Sequence, residues 1–201
     1  MSEPLLMPFQ DLPFNGDNFV CQEFLAIKEK HAINVAIETG SCLYSTTKWL
    51  GENFTNVYTV EISEEYSKHG IHKVAGMLNV HTNIGDSVSF LNKMRDVLTP
   101  ADRCLFFLDA HWGENCPLIE ELAAISLLKT TPPVIAIHDF YTGDLTLGWD
   151  EYNGQRFDYQ WIDLSIKNLE SAFGCDYECY YNTEAEGAKR GLIYIVPKKQ
   201  L

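Results

Sequence analysis

Five short runs of mostly apolar, β-branched or aromatic residues each have an acid or a histidine at or close to their carboxyl end, and they alternate with segments of helical spacing. The runs are residues 34–38, 57–62, 80–84, 104–108 and 134–137. The fourth, Cys-Leu-Phe-Phe-Leu, is apolar without interruption, as expected of a strand covered on both faces. Strands that alternate with helices and are buried on both faces call for a parallel sheet with right-handed crossovers. Helices are predicted over 19–31, 43–53, from Ser63 with Glu64 and Glu65 in its first turn, from Asp86 to about Val97, and from Pro117 to Lys129.

The end of the chain differs. After a helix over 159–173, residues 176–182 and 192–196 read as two strands joined by a turn rich in Glu, Gly and Lys, most simply an antiparallel pair at one sheet edge. The fold class expected is therefore α/β, a doubly wound and mostly parallel seven-stranded sheet with an antiparallel C-terminal hairpin. At 201 residues and 46% apolar composition the chain suits one domain, 1–201, which opens with an extended segment over 1–17. The net charge of −13, with acids spread along the chain, offers no platform for nucleic acid. No apolar stretch approaches the roughly 20 residues of a membrane span, and residues 1–17 do not resemble a secretory signal, so a cytoplasmic protein is expected. Six cysteines without a CxxC pair read as free thiols.

Ligands of open α/β sheets bind outside the carboxyl ends of the strands. Those ends carry Glu38 and Gly40, Glu61, Asp86, Asp109 with His111, and His138 with Asp139. The stretch 34–46 reads as strand, tight turn and helix start, with backbone N–H groups expected to face a ligand. Glu61 follows Gly40 by about twenty residues, the position from which a carboxylate takes the hydroxyls of a ribose. A dinucleotide would need further glycines, yet Cys42, Leu43 and Tyr44 stand there, and their side chains obstruct a diphosphate. A phosphate-free nucleoside cofactor fits better.

Glu38-Thr39-Gly40 with Ser45-Thr46, then Glu61, Gly85-Asp86-Ser87, Leu108-Asp109-Ala110-His111-Trp112 and Ile137-His138-Asp139 resemble, in order and spacing, the class I S-adenosylmethionine-dependent methyltransferases. The likeness is greatest to the small metal-dependent O-methyltransferases and their cephalosporin-hydroxylase-like relatives, and it extends over residues 34–197. It implies a Rossmann-like methyltransferase fold and methyl transfer to a small-molecule hydroxyl. It further implies that Glu38, Gly40 and Ser41 contact the amino-acid half of S-adenosylmethionine, Glu61 the ribose, and Asp86 with Ser87 the adenine edge, with Asp109 beside the methyl donor. Asp109 and Asp139 match the acids that hold a divalent metal. Phe140 stands where the catechol-type enzymes carry an Asn, and His138 is the substitute ligand. Two carboxylates and an imidazole suit Mn²⁺, Fe²⁺ or Zn²⁺ better than Mg²⁺.

His111, near neutral in its ordinary pKa, is the best candidate base, assisted by Asp109. Residues 141–161, with aromatics spaced by glycines, form a loop that reads either as a lid and wall for an aromatic or sugar-like acceptor or as cover for the sheet edge. Arg156 is the cation expected to meet an anionic substituent. Two other readings stay open: a catalytically silent module that binds S-adenosylmethionine or a nucleoside, and a cephalosporin-hydroxylase-like metal protein. No nucleic acid or membrane partner is expected, and a homodimer is allowed for.

Overall fold

The computed structural model describes residues 9–111 and 116–198. Residues 1–8 of the expected N-terminal segment and Trp112 of the fourth strand-end motif lie outside the described residues. Strands β1 (Val35–Thr39), β2 (Asn56–Glu61), β3 (Val80–Ile84), β4 (Cys104–Leu108) and β5 (Val134–Ile137) are parallel; β9 (Ile193–Pro197) pairs antiparallel with β5, and β8 (Tyr177–Tyr181) pairs antiparallel with β9. The order β3-β2-β1-β4-β5-β9-β8 gives the seven-stranded sheet read from the sequence. Its direction of growth reverses between β1 and β4, which opens a crevice above their carboxyl ends.

Alternation along each strand divides the core. Ile37, Phe106, Leu108, Ile135 and Ile193 face α4 (Ser87–Lys93), α5 (Leu118–Ser126) and α6 (Tyr159–Phe173) through Leu91, Leu122, Ile166 and Leu169. Ala36, Val57, Leu105, Phe107 and Tyr194 pack with α1 (Asn18–His31) and α2 (Ser45–Asn53) through Phe24 and Leu50. Caps set the helix starts: Asp17 accepts from the N–H groups of Phe19 and Val20, Asp86 from Ser89, and Ser63 from Tyr66 at the head of α3 (Glu64–Gly70).

Two sequence expectations change. Residues 9–17 are not extended: Pro13–Gly16 form a short 3₁₀ turn, Phe14 donates its N–H to Thr46 Oγ1 at 2.8 Å, and its ring packs on Phe24, Trp49 and Phe107. A buried aromatic ring here outweighs the three prolines that suggested an extended arm. Residues 141–161 are not wholly loop-like either. Glu151–Tyr152 (β6) and Gln155–Arg156 (β7) form a hairpin around Asn153-Gly154, both of which adopt positive φ as a tight primed turn requires. Among the described residues no helix is long and apolar enough to cross a membrane.

Candidate functional site

The turn after β1 is closed rather than open. The N–H groups of Gly40 and Ser41 donate to Val60 O at 3.0 and 3.2 Å, Cys42 N–H donates to Glu61 Oε2 at 2.7 Å, and Tyr44 N–H donates to Ser41 O at 2.8 Å. These donors, expected to face a ligand, are engaged by the chain itself, so the turn offers no nest for a diphosphate. Cys42 and Tyr44 adopt left-handed backbone, φ 48° and 59°, which delays the helix from Leu43 to Ser45. The Tyr44 side chain turns away from the crevice and is buried, its hydroxyl 2.9 Å from Ser67 Oγ, whereas Cys42 stays on the crevice wall.

Gly40 is required by space as well as by its φ of +83°: a Cβ there would lie 2.2 Å from the carbonyl oxygen of Asp109. That contact locks the end of β1 to the end of β4. Above it lies a cleft of about 730 Å³ lined by Gly40, Cys42, Glu61, Asp86, Ser87, Asp109 and His111, with Gln10 reaching in from the N-terminal segment. The volume falls in the range of small-molecule sites.

Glu61 is buried, and both its oxygens are positioned by backbone, Oε2 by Cys42 N–H and Oε1 by Ser63 N–H at 2.8 Å. Burial raises its pKa although these bonds oppose the shift. A carboxylate oxygen can accept more than one hydrogen bond, so the group retains acceptor capacity for hydroxyls in the cleft. Asp86 spends one oxygen on the α4 cap and is otherwise exposed, and Ser87 is buried beside it.

Glu38 and Ser41 are not on the cleft wall. Glu38 is sealed beneath the turn, accepting from Thr47 Oγ1 and from Thr59 Oγ1 at 2.6 Å, and Ser41 Oγ lies 2.6 Å from Thr59 Oγ1. Their expected contacts with the amino-acid half of a cofactor are therefore corrected: β1 directs Glu38 into the α2 face, where it holds the turn from below. Desolvation pushes the Glu38 carboxyl up to about 7. A folded pKa above the ordinary 4.5 means that the folded state keeps a proton the unfolded chain releases, so stability falls as pH rises through that window. Between pH 5.5 and 8.5 the wild-type protein should lose about 2 kcal/mol more than Glu38→Gln. Urea midpoints at the two pH values measure it; parallel losses would show that Glu38 does not titrate in this range.

At the other wall two acids and two histidines converge. His111 Nε2 lies 3.2 Å from Asp139 Oδ2 and 3.7 Å from Asp109 Oδ1, and His138 Nδ1 lies 3.2 Å from Asp109 Oδ1 and 3.1 Å from Asp139 Oδ1. Burial alone would lower both imidazoles, yet the carboxylates raise His111 and lift His138 well above the ordinary value. Burial alone would raise Asp139, yet His138 and His111 hold it well below the carboxylate range.

Among the described residues the group compact enough to hold a metal ion is Asp109, His111 and Asp139, with ligand atoms within 4.8 Å of one another. That group contains His111 and not His138, the imidazole expected from the sequence. The fit for a metal is poor on one observation: Arg190 Nε donates to Asp139 Oδ1 and its Nη2 to Asp150 Oδ1. Asp139 therefore has Oδ1 on Arg190 and His138 and Oδ2 on His111. Phe140, wholly buried, supplies no oxygen.

Arg190 was not anticipated from the sequence, and Arg156 does not fill the role expected of it. Its Nε bonds Asp158 Oδ2 at 3.0 Å and its guanidinium lies 3.9 Å above the Tyr141 ring. Residues 141–161 do not line the cleft; Phe157 and Tyr152 pack behind His111, ring centres at 4.7 and 6.1 Å. Glu121 was also missed. It is buried on α5 near Ser87 and Thr39, burial raises its pKa, and its Oε1 has no hydrogen-bond partner among the described residues.

No family model and no curated protein matches the sequence. Solved structures do match. An O-methyltransferase from Bacillus cereus in complex with SAH is 15% identical with a TM-score of 0.60, over 94% of this chain and 85% of that one. CalS10, an amino pentose methyltransferase from Micromonospora echinaspora, is 12% identical with a TM-score of 0.60, over 89% of each chain. A precorrin 8w decarboxylase from Methanobacterium thermoautotrophicum is 15% identical with a TM-score of 0.56, over 95% of this chain and all of that one. At such identities the likeness shows the fold, which is the Rossmann-like methyltransferase architecture.

Proposed function

We propose that the protein is an S-adenosylmethionine-dependent methyltransferase acting on a hydroxyl of a small molecule. The observation that carries this reading is the cleft at the β1/β4 switch point, where bare Gly40 faces the buried, backbone-held carboxylate of Glu61 and the turn after β1 offers no free N–H groups to a phosphate. A phosphate-free nucleoside suits that combination. Its ribose hydroxyls would meet Glu61, its base the edge formed by Asp86 and Ser87, and its amino-acid end the side near Gly40 and Asp109. Solved structures of this fold with SAH bound support the same reading. When bound, the cofactor supplies a methyl group already activated by its sulfonium.

What remains for the chain is to position the acceptor and take its proton. His111 is the base. Once its own proton has left to solvent, Nε2 presents a lone pair to two carboxylates, and that repulsion makes it strongly basic. The proton taken from the acceptor hydroxyl then rests on Nε2 between Asp139 and Asp109. Tyr152 and Phe157 behind the imidazole limit its movement. No metal is needed for any of these roles.

Incubation of the protein with methyl-labelled donor and a cell extract should label a small-molecule product. His111→Ala should slow that labelling by about 10² to 10⁴-fold, the usual loss on removing a general base, with donor affinity retained. Donor binding without any labelled product would favour a silent binding module instead.

A further inference from the structure

We propose that Arg190 is the permanent cation of this site, occupying the electrostatic place of a divalent metal, so that the Asp109, His111 and Asp139 cluster works without one. The resemblance drawn from the sequence implies a metal on Asp109 and Asp139, and the three ligand atoms are compact enough. The neighbours of Asp139 argue otherwise. Its Oδ1 accepts from Arg190 Nε and faces His138 Nδ1 at 3.1 Å, and its Oδ2 faces His111 Nε2 at 3.2 Å. A metal would have to displace the guanidinium or sit beside it, and like charges in a half-buried site repel strongly. Asp139 is already bonded to an arginine, and Asp109 with what Asp139 has left offers too few oxygens for a hard dication, which prefers six or so.

Arg190 is built into this position and has not simply swung there. Its backbone is held from both sides by one residue: Gly148 N–H donates to Lys189 O at 2.8 Å, and Gly191 N–H donates to Gly148 O at 2.9 Å. The side chain lies across Gly148, where a Cβ would come within 2.8 Å of Nη1 and 3.1 Å of Cδ. On the far side Gly191 admits the carbonyl oxygen of Phe140, which would be 2.1 Å from a Cβ. The second arm of the guanidinium is anchored on Asp150, whose other oxygen accepts from the Tyr152 hydroxyl at 2.9 Å. Two glycines, a backbone clamp and a second carboxylate thus hold one planar cation against Asp139, a geometry suited to Arg and not to the point charge of Lys. Asp139 itself has a φ of 58°, a backbone state that L residues rarely adopt and that its bonded surroundings must sustain.

The test is a Mn²⁺ titration of the full chain, with free ion read by electron paramagnetic resonance and no substrate present. The wild-type protein should bind at this site no more tightly than roughly 1 mM, the weak end for oxygen-ligand sites, and Asp139→Asn should change nothing. Arg190→Met, which keeps the stem and removes the charge, should tighten Mn²⁺ binding at least tenfold, while Arg190→Lys should stay within threefold of wild type. Circular dichroism checks that each variant folds, and the wild-type titration decides if Arg190→Met does not. Tight wild-type binding that Asp139→Asn abolishes would overturn the proposal, as would an Arg190→Met protein that folds and binds Mn²⁺ no better. The readout is independent of methyl transfer, so its failure and the failure of the functional reading are separately visible.

Discussion

Gly40→Ala should destabilise the fold by about 2 to 5 kcal/mol, the sum of a left-handed backbone penalty and of overpacking. The added Cβ would stand 2.2 Å from the carbonyl oxygen of Asp109 and 2.7 Å from its carbonyl carbon, both backbone atoms that cannot rotate aside. Relief requires the ends of β1 and β4 to part, and these strands are paired along Val35–Thr39 against Cys104–Leu108. Gly76 provides the internal comparison. Its φ of +87° matches that of Gly40, but a Cβ there meets nothing within 4 Å, so Gly76→Ala should cost only the backbone penalty of about 1 to 2 kcal/mol. Urea denaturation of both variants separates the two contributions. Equal losses would mean that the close approach of the two strand ends is not what Gly40 serves.

Glu61→Ala should weaken binding of S-adenosylhomocysteine by about 1 to 3 kcal/mol, or roughly 5 to 150-fold, through loss of a charged hydrogen-bond acceptor in the cleft. The same change strips the Cys42 and Ser63 N–H groups of their partners, so a loss of stability of similar size should accompany it. Glu61→Gln discriminates between these effects. Its single amide oxygen can keep one of the two backbone bonds, so it should recover part of the stability while binding stays weak. Calorimetry and urea denaturation on the pair read both quantities, and an unchanged affinity in Glu61→Ala would remove the ribose assignment.

Much of the fold was legible because parallel strands covered on both faces announce themselves as continuous apolar runs, and because Ser63, Asp86 and Pro117 mark helix starts in plain local chemistry. Gly40, Glu61, Asp86, Ser87, Asp109 and His111, singled out by their place at strand ends, line one cleft. Glu38 and Ser41 show the limit of reading a site from strand ends. They stand at the end of β1 or just after it, but the pleat directs Glu38 to the α2 face, and position along a strand says nothing of which face a polar residue takes unless its partners Thr47 and Thr59 are known.

The missed features had signals of different strength. Asn153-Gly154 is a strong hairpin signal within a segment whose glycine-spaced aromatics read as loop. Glu121 interrupts the apolar face formed by Leu118, Leu122 and Ile125, which marks a buried acid. Arg190 could be found only through topology: β9 runs antiparallel to β5 with Ile193 opposite Ile137, so the residues entering β9 lie beside those leaving β5. A charged residue three before Ile193 therefore meets Asp139, although 51 positions separate them.

On the proposed function, the cleft between Gly40, Glu61 and Asp109 binds a phosphate-free nucleoside that donates a methyl group. Isothermal titration calorimetry of the wild-type protein with S-adenosylmethionine and with S-adenosylhomocysteine tests it most directly. Saturable binding of one molecule of each per chain is predicted; a folded protein that binds neither would contradict the account.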